Sequence, residues 1–172
     1  MDPWVELARC AVAEAARSGR RLNRVPEGLD AGLPAAPGAC FVSRHAANGA
    51  LRGCIGTLEP QTASLPLEIL RNGHAAARED RRFSPLTVDE LAGLRVKVDV
   101  LGPLEPAEGP QDLDPARFGV VVSTADGRRG VLLPALEGID RVERQLEIAR
   151  RKAGIGPLEP VRLQRFTVVR HG

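Results

Sequence analysis

The 172-residue chain carries 24 Lys and Arg against 22 Asp and Glu, a formal charge of +2, so it lacks the long-range positive field that dominates nucleic-acid affinity. Hydrophobic residues make up 43% of the chain, enough for one sizeable core, and with four Phe, one Trp and no Tyr that core must be aliphatic. No run approaches the roughly 18 apolar residues needed to cross a bilayer; three cysteines without CxxC spacing (Cys10, Cys40, Cys54) and no cleavable leader point to reduced thiols and a cytoplasmic protein.

One domain over residues 1–172 is expected, with a subdomain division near 102–117. Trp4, Leu7, Ala8, Ala11, Val12 and Ala15 recur at helical steps, predicting a helix over 4–18 that stops near Ser18-Gly19. Residues 25–38 are rich in Pro and Gly and suit a surface connection. Two apolar runs, 40–46 and 51–56, flank Asn48-Gly49, a strong hairpin signal. With a two-residue type I′ turn, Ala47 faces Ala50, His45 faces Arg52, Ser43 faces Cys54 and Phe41 faces Gly56. One sheet face then carries Ser43, His45, Arg52 and Cys54; Cys40 falls on the other, which leaves too few ligands for a zinc site.

A helix over 65–79 follows Ser64 and Pro66, although Asn72-Gly73 weakens it. Thr87 and Glu90 form a capping box for a short helix through Leu94, and 95–100 alternates as a strand. After a connection over 102–116, the runs 118–123 and 130–133 flank Asp126-Gly127 as a second hairpin, with both faces covered. Asp140 caps a helix through Lys152 that stops at Gly154, and 161–169 closes the chain as a strand. Hairpin, helix, strand thus occurs twice, over 40–101 and 118–169, as an internal duplication would give.

Cys54 stands between Gly53 and Gly56 in a strand pattern, where glycine marks a bulge or a close approach to the backbone. Beside His45 and Arg52 and open to solvent, its thiolate would be favoured, giving a nucleophile with His45 as base and Arg52 as anion holder. Covered by the 65–79 helix, it is a small core residue. Asp80, Arg82 and Phe83, ahead of Ser84-Pro85, either pin a loop or meet a ligand. The pairs Arg20-Arg21, Arg81-Arg82 and Arg128-Arg129 and the run Arg150-Arg151-Lys152 read as solvated faces.

The hexapeptide Leu51-Arg52-Gly53-Cys54-Ile55-Gly56 resembles the hallmark of the AMMECR-one family. The likeness extends through Phe41-Val42, Asn72, Ala75-Ala76-Ala77, the stretch Asp80-Arg81-Arg82-Phe83-Ser84-Pro85-Leu86, Glu90-Leu91, Val98 to Leu101, Gly130 to Pro134, Lys152-Ala153-Gly154 and Phe166. Arg81 and Ser84 replace frequent prolines, and Arg150 replaces a frequent cysteine. The resemblance implies an α+β fold whose duplicated β-hairpin/helix/strand units form a curved, largely antiparallel, barrel-like sheet with flanking helices, in a larger and a smaller subdomain. It also implies a shared pathway with Memo-type and radical S-adenosylmethionine (SAM) proteins, while animal relatives look like nuclear or adaptor-type regulators. The leading expectation is therefore an accessory protein with no cofactor or metal of its own. It would present Arg52 and Cys54, with Ser43, Gly53, Gly56, Asp80, Arg82 and Phe83, to a partner or substrate. A stand-alone enzyme with Cys54 as nucleophile and a nucleic-acid-binding module are the alternatives.

Overall fold

Asp2 starts the first helix by accepting the Trp4 backbone N–H at 2.9 Å, and Pro3 sits in the first turn, where its missing N–H costs nothing. The helix stops at Gly19, whose φ of +72° is the left-handed conformation that glycine adopts freely. A computed structural model describes residues 2–30 and 32–172. In chain order the elements are α1 (Pro3–Ser18), β1 (Cys40–His45), β2 (Leu51–Gly56), α2 (Leu65–Arg78), β3 (Arg95–Leu101), β4 (Glu105–Ala107), β5 (Gly119–Ser123), β6 (Arg129–Leu132), α3 (Val142–Lys152), β7 (Arg162–Phe166) and β8 (Val168–His171).

The chain divides into two units, residues 2–101 with Val169–Gly172, and Gly102–Val168. The α+β class is as expected. The strands, however, form two four-stranded sheets, ordered β2-β1-β3-β8 and β4-β7-β5-β6, in place of one curved sheet.

In the first unit, Leu7, Ala8, Ala11, Val12 and Ala15 of α1 join Ile69, Leu70 and Ala77 of α2 and Cys40, Val42, Val96 and Val98 of the sheet in one core. The Gly73 that weakened the helix prediction has a packing reason. A Cβ there would lie 2.9 Å from the Ala11 Cβ, so glycine lets α1 and α2 approach, offsetting its intrinsic cost of about 1 kcal/mol. In the second unit Ala107, Leu113, Val120, Val122, Leu132, Ala149 and Ile155 form the core.

The duplication extends to individual hydrogen bonds. In each unit the strand after the helix pairs with the first hairpin strand, giving β2-β1-β3 and β6-β5-β7. The triplet Gly53, Arg44, Val96 matches Gly130, Val122, Leu163 in register. A Cβ on Gly53 would come 2.6 Å from the Ala76 carbonyl oxygen of α2, and one on Gly130 would come 2.8 Å from the Ala149 carbonyl carbon of α3. Four residues before each alanine stands a buried amide: Asn72 donates to the Cys40 carbonyl at 3.0 Å and Gln145 to the Phe118 carbonyl at 2.8 Å. Cys40 and Phe118 in turn lie four residues before Arg44 and Val122.

Four local expectations are corrected. The first hairpin has a three-residue loop, with Ala46 N–H bonded to Ala50 C=O and Gly49 N–H to Ala46 C=O, so Ala47 does not face Ala50 and His45 pairs with Leu51, not Arg52. Arg141, rather than Asp140, occupies the N-cap of α3. The last strand breaks at Thr167 into β7 and β8, which belong to different sheets. The 102–116 connection holds β4 and a 3-10 turn at Pro110–Asp112.

Candidate functional site

β2, which carries the hexapeptide, is an edge strand. Unpaired edges invite association, and this one is covered by the loop that follows α2. Leu86, buried, anchors that loop through its N–H to the Ala77 carbonyl, and Phe83 N–H closes a turn onto the Asp80 carbonyl. Asp80 Oδ2 then accepts the Cys54 backbone N–H at 2.9 Å, and Arg82 Nη2 donates to the Cys54 carbonyl at 3.4 Å. The two side chains stand in for the C=O and N–H of a neighbouring strand. They also bind each other, Arg82 Nε and Nη2 reaching Asp80 at 3.0 and 2.8 Å. Hydrogen bonds from Arg82, then from the Cys54 and Arg82 backbone, hold the buried Asp80 carboxyl down to about 2.

Arg52 has no partner in the β1–β2 register; it is the extra residue of a β-bulge. Bulges re-aim side chains, and this one sends the guanidinium out of the sheet to Glu90 (2.6 and 3.1 Å) and to the Ser84 carbonyl (3.0 Å). Thr87 and Glu90 form the expected capping box, on a 3-10 turn (Val88–Gly93). Burial opposes ionisation of Glu90, but the Thr87 N–H and Arg52 outweigh it and lower its pKa. The Phe83 ring has Arg52 at 5.9 Å and Arg82 at 5.4 Å from its centroid, within cation–π range of both.

Behind the strand lies a residue that the sequence reading missed. Arg44 is 1% exposed; its Nη2 donates to the Ala76 carbonyl, while Nε and Nη1 have no protein partner. Burial first, then the charge of Arg52, pushes its pKa down to about 10. A Cβ on Gly53 would be 2.9 Å from the Arg44 Cζ, so Gly53 makes room for a guanidinium as well as for a helix. The signal available in the sequence was the glycine directly across the hairpin from an arginine.

On the face of the hairpin away from Arg44, Ser43 pairs with half-buried Cys54, as expected. His45 is beside them, its Nε2 3.2 Å from Ser43 Oγ and its Nδ1 3.3 Å from the Gly49 carbonyl. Gly56 lies under the Phe41 ring, with a Cβ there only 2.6 Å from Cδ2. The structure thus brings Arg52, Asp80, Arg82, Phe83 and the Cys54 backbone together at the edge, and Ser43, His45 and the Cys54 side chain together on the face. Cys40, on the opposite face, is fully buried, and burial pushes its thiol up to about 12. Among the described residues no three His, Cys, Asp or Glu side chains are grouped to hold a metal ion, and no helix is long and apolar enough to cross a membrane. In the second unit Arg128 is held by Asp126 at 3.0 Å and Glu159 at 2.5 Å, tying the β5–β6 turn to the loop after α3.

Comparison with known proteins gives a consistent result. A Thermotoga maritima protein is 44% identical over 98% of this chain and 97% of its own length. A Clostridium acetobutylicum protein is 39% identical over 99% of this chain, which spans only 36% of that longer relative. The crystal structure of the uncharacterised protein PH0010 from Pyrococcus horikoshii superposes with a TM-score of 0.86 at 29% identity, covering 99% of this chain and 91% of that one. The AMMECR1 family model matches residues 5–171, and the chain belongs to the AMMECR1 family.

Proposed function

We propose that the chain is a cytoplasmic accessory protein that presents the Arg52–Cys54 edge to a partner, with Memo-type and radical SAM proteins as the partner classes. The observation that carries this reading is the preformed cluster of Arg52, Phe83 and Arg82, fixed by Glu90 and Asp80. Arginine and aromatic side chains dominate interface hot spots, and pre-ordering them removes part of the entropy cost of binding. Leu51 (40% exposed), next to Arg52 in sequence, and Val88 (51%), two residues before Glu90, are exposed apolar side chains on the segments that carry this pair. The C. acetobutylicum relative, in which this fold is one part of a longer chain, supports a working association with a further segment.

The test measures the affinity of the full chain for a purified Memo-type protein and, separately, a radical SAM protein from the same cell. Charge reversal by Arg82→Glu is expected to weaken binding by about tenfold or more, the size of an arginine hot spot. Arg20→Glu, at an exposed position remote in sequence, serves as control and leaves affinity unchanged. No measurable association with either partner, or equal effects of the two substitutions, contradicts the proposal.

A further inference from the structure

The hairpin face that carries Ser43, His45 and the Cys54 side chain is the one away from Arg44, and its geometry has a consequence beyond docking. The Gly49 carbonyl can only accept, so neutral His45 carries its proton on Nδ1, which leaves Nε2 to accept the Ser43 hydroxyl. The imidazole is thereby oriented by the hairpin loop, with a backbone carbonyl in the role that an acid fills in other triads. Across the strand pair, Cys54 gives its N–H to Asp80 and its carbonyl to Arg82, so Ser43 and Cys54 exchange no backbone hydrogen bond. Such pairs are the closer kind, with Cβ atoms about 4.5–5.5 Å apart.

We propose that His45, Ser43 and Cys54 form a proton relay that makes Cys54 an attacking thiolate toward small anionic disulfides. The Cys54 thiol gives its proton to Ser43 Oγ as the Ser43 hydroxyl proton passes to His45 Nε2. The thiolate attacks one sulfur of the disulfide, the substrate S–S bond breaks, and a mixed disulfide forms at Cys54. The departing thiolate takes the proton back from the His45 imidazolium. Cys54 is oxidised and half of the disulfide is reduced, with no other reactant.

Two features select this substrate class. An acyl substrate would need a donor for its oxyanion, and the Cys54 N–H is already committed to Asp80, whereas disulfide exchange develops charge on sulfur and needs none. The Arg82 side chain is 57% exposed and donates to the Cys54 carbonyl at 3.4 Å, which sets a cation beside this residue and favours an anionic group on the incoming molecule. Neither other thiol is placed to resolve the product: Cys40 is buried on the opposite face, and Cys10 lies on α1. The mixed disulfide therefore persists until an external thiol removes it. The charged groups facing the relay are Arg82 and Asp80 at the β2 edge, with Lys97 and Arg95 opposite Ser43 and His45 on β3; α2 covers the other side of the hairpin.

The experiment follows the reaction of the intact, folded chain with the dianion 5,5′-dithiobis(2-nitrobenzoate) and with neutral 4,4′-dithiodipyridine as a function of pH, locating adducts by mass spectrometry. Wild-type Cys54 is expected to react with a midpoint below the ordinary thiol value of about 8.5. Ser43→Ala and His45→Gln each return that midpoint toward 8.5 and slow the reaction at pH 7 by about tenfold, one pH unit of thiolate. Arg82→Gln slows the dianion more than the neutral reagent. Circular dichroism confirms that each variant is folded, and two separate relay variants keep the test independent of either one's stability. The relay is overturned if Ser43→Ala and His45→Gln leave the midpoint and rate unchanged, or if Cys54 reacts only on unfolding. Anion selectivity is overturned if Arg82→Gln slows both reagents equally.

Discussion

Gly53→Ala tests the account of the hexapeptide most directly. An added Cβ would lie 2.6 Å from the Ala76 carbonyl oxygen and 2.9 Å from the Arg44 Cζ, and closer still to Arg44 Nη2, at a backbone φ of +157°. The helix carbonyl cannot yield without moving α2, and the guanidinium is 1% exposed with no room to swing. Overpacking of this kind costs about 1–3 kcal/mol, and an alanine in a conformation that L residues rarely adopt adds about 1–2 kcal/mol. The expected loss is about 3 kcal/mol, which for a chain of this length lowers Tm by roughly 6–12 °C. Urea denaturation and thermal melts by circular dichroism measure it. Gly49→Ala is the control, with nothing within 4 Å of its Cβ and a φ of +85°, and loses only the left-handed penalty of about 1–2 kcal/mol. Adding Arg44→Leu to Gly53→Ala removes one of the two collisions and recovers about 1 kcal/mol. A Gly53→Ala protein as stable as wild type, or a double variant no better than the single, refutes the reasoning.

Arg44→Leu alone is expected to leave stability unchanged or raise it, because two buried donors without partners are removed along with a desolvated charge; urea midpoints decide this. Asp80 has its folded pKa held below the unfolded value of about 4, so it contributes about 2 kcal/mol at neutral pH, and this is lost as pH falls from about 4 through 2. Asp80→Asn should therefore be less stable than wild type at pH 7, and the gap should close in urea titrations run down to pH 2. Asn72→Ala and Gln145→Ala each remove a buried amide's hydrogen bond to a main-chain carbonyl, of Cys40, which keeps the Thr57 N–H, or of Phe118, and are expected to cost about 1–2 kcal/mol apiece, measured in parallel melts.

The hairpin shows what the sequence made legible and where a second solution was hidden. Counting outward from an assumed two-residue turn at Asn48-Gly49 places Ser43 opposite Cys54 correctly, even though that turn is wrong. The true three-residue loop shifts the register by one, and the bulge at Arg52 shifts it back. An Asn-Gly pair fits either loop, and only the destination of the Arg52 side chain, Glu90 38 residues away, distinguishes them. The same distance effect hid the edge clasp. Asp80-Arg82 could be read as a salt bridge, but that it covers the backbone of Cys54 depends on how α2 lies against β2. The buried Arg44 was hidden for the opposite reason: its neighbours look favourable in one dimension, whereas its interior position is a cost that the surrounding structure has to carry.

The duplicated architecture separates what the fold requires from what is placed upon it. Both units use a glycine where the helix meets the second hairpin strand, a buried amide four residues before the facing alanine, and a cation from outside the sheet that reaches a carbonyl of the edge strand. Lys152 Nζ reaches the Val131 carbonyl at 2.8 Å as Arg82 reaches that of Cys54. Those features belong to the scaffold, since each recurs without its neighbours' chemistry. At the positions of Ser43 and Cys54, however, the second unit has Val121 and Val131, and the position of Arg44 holds Val122. Valine satisfies the same register, so packing does not demand a serine, a thiol or a buried guanidinium there. The polar residues of the first unit are thus departures from what the shared scaffold needs, and such departures concentrate where a protein meets its substrate or partner.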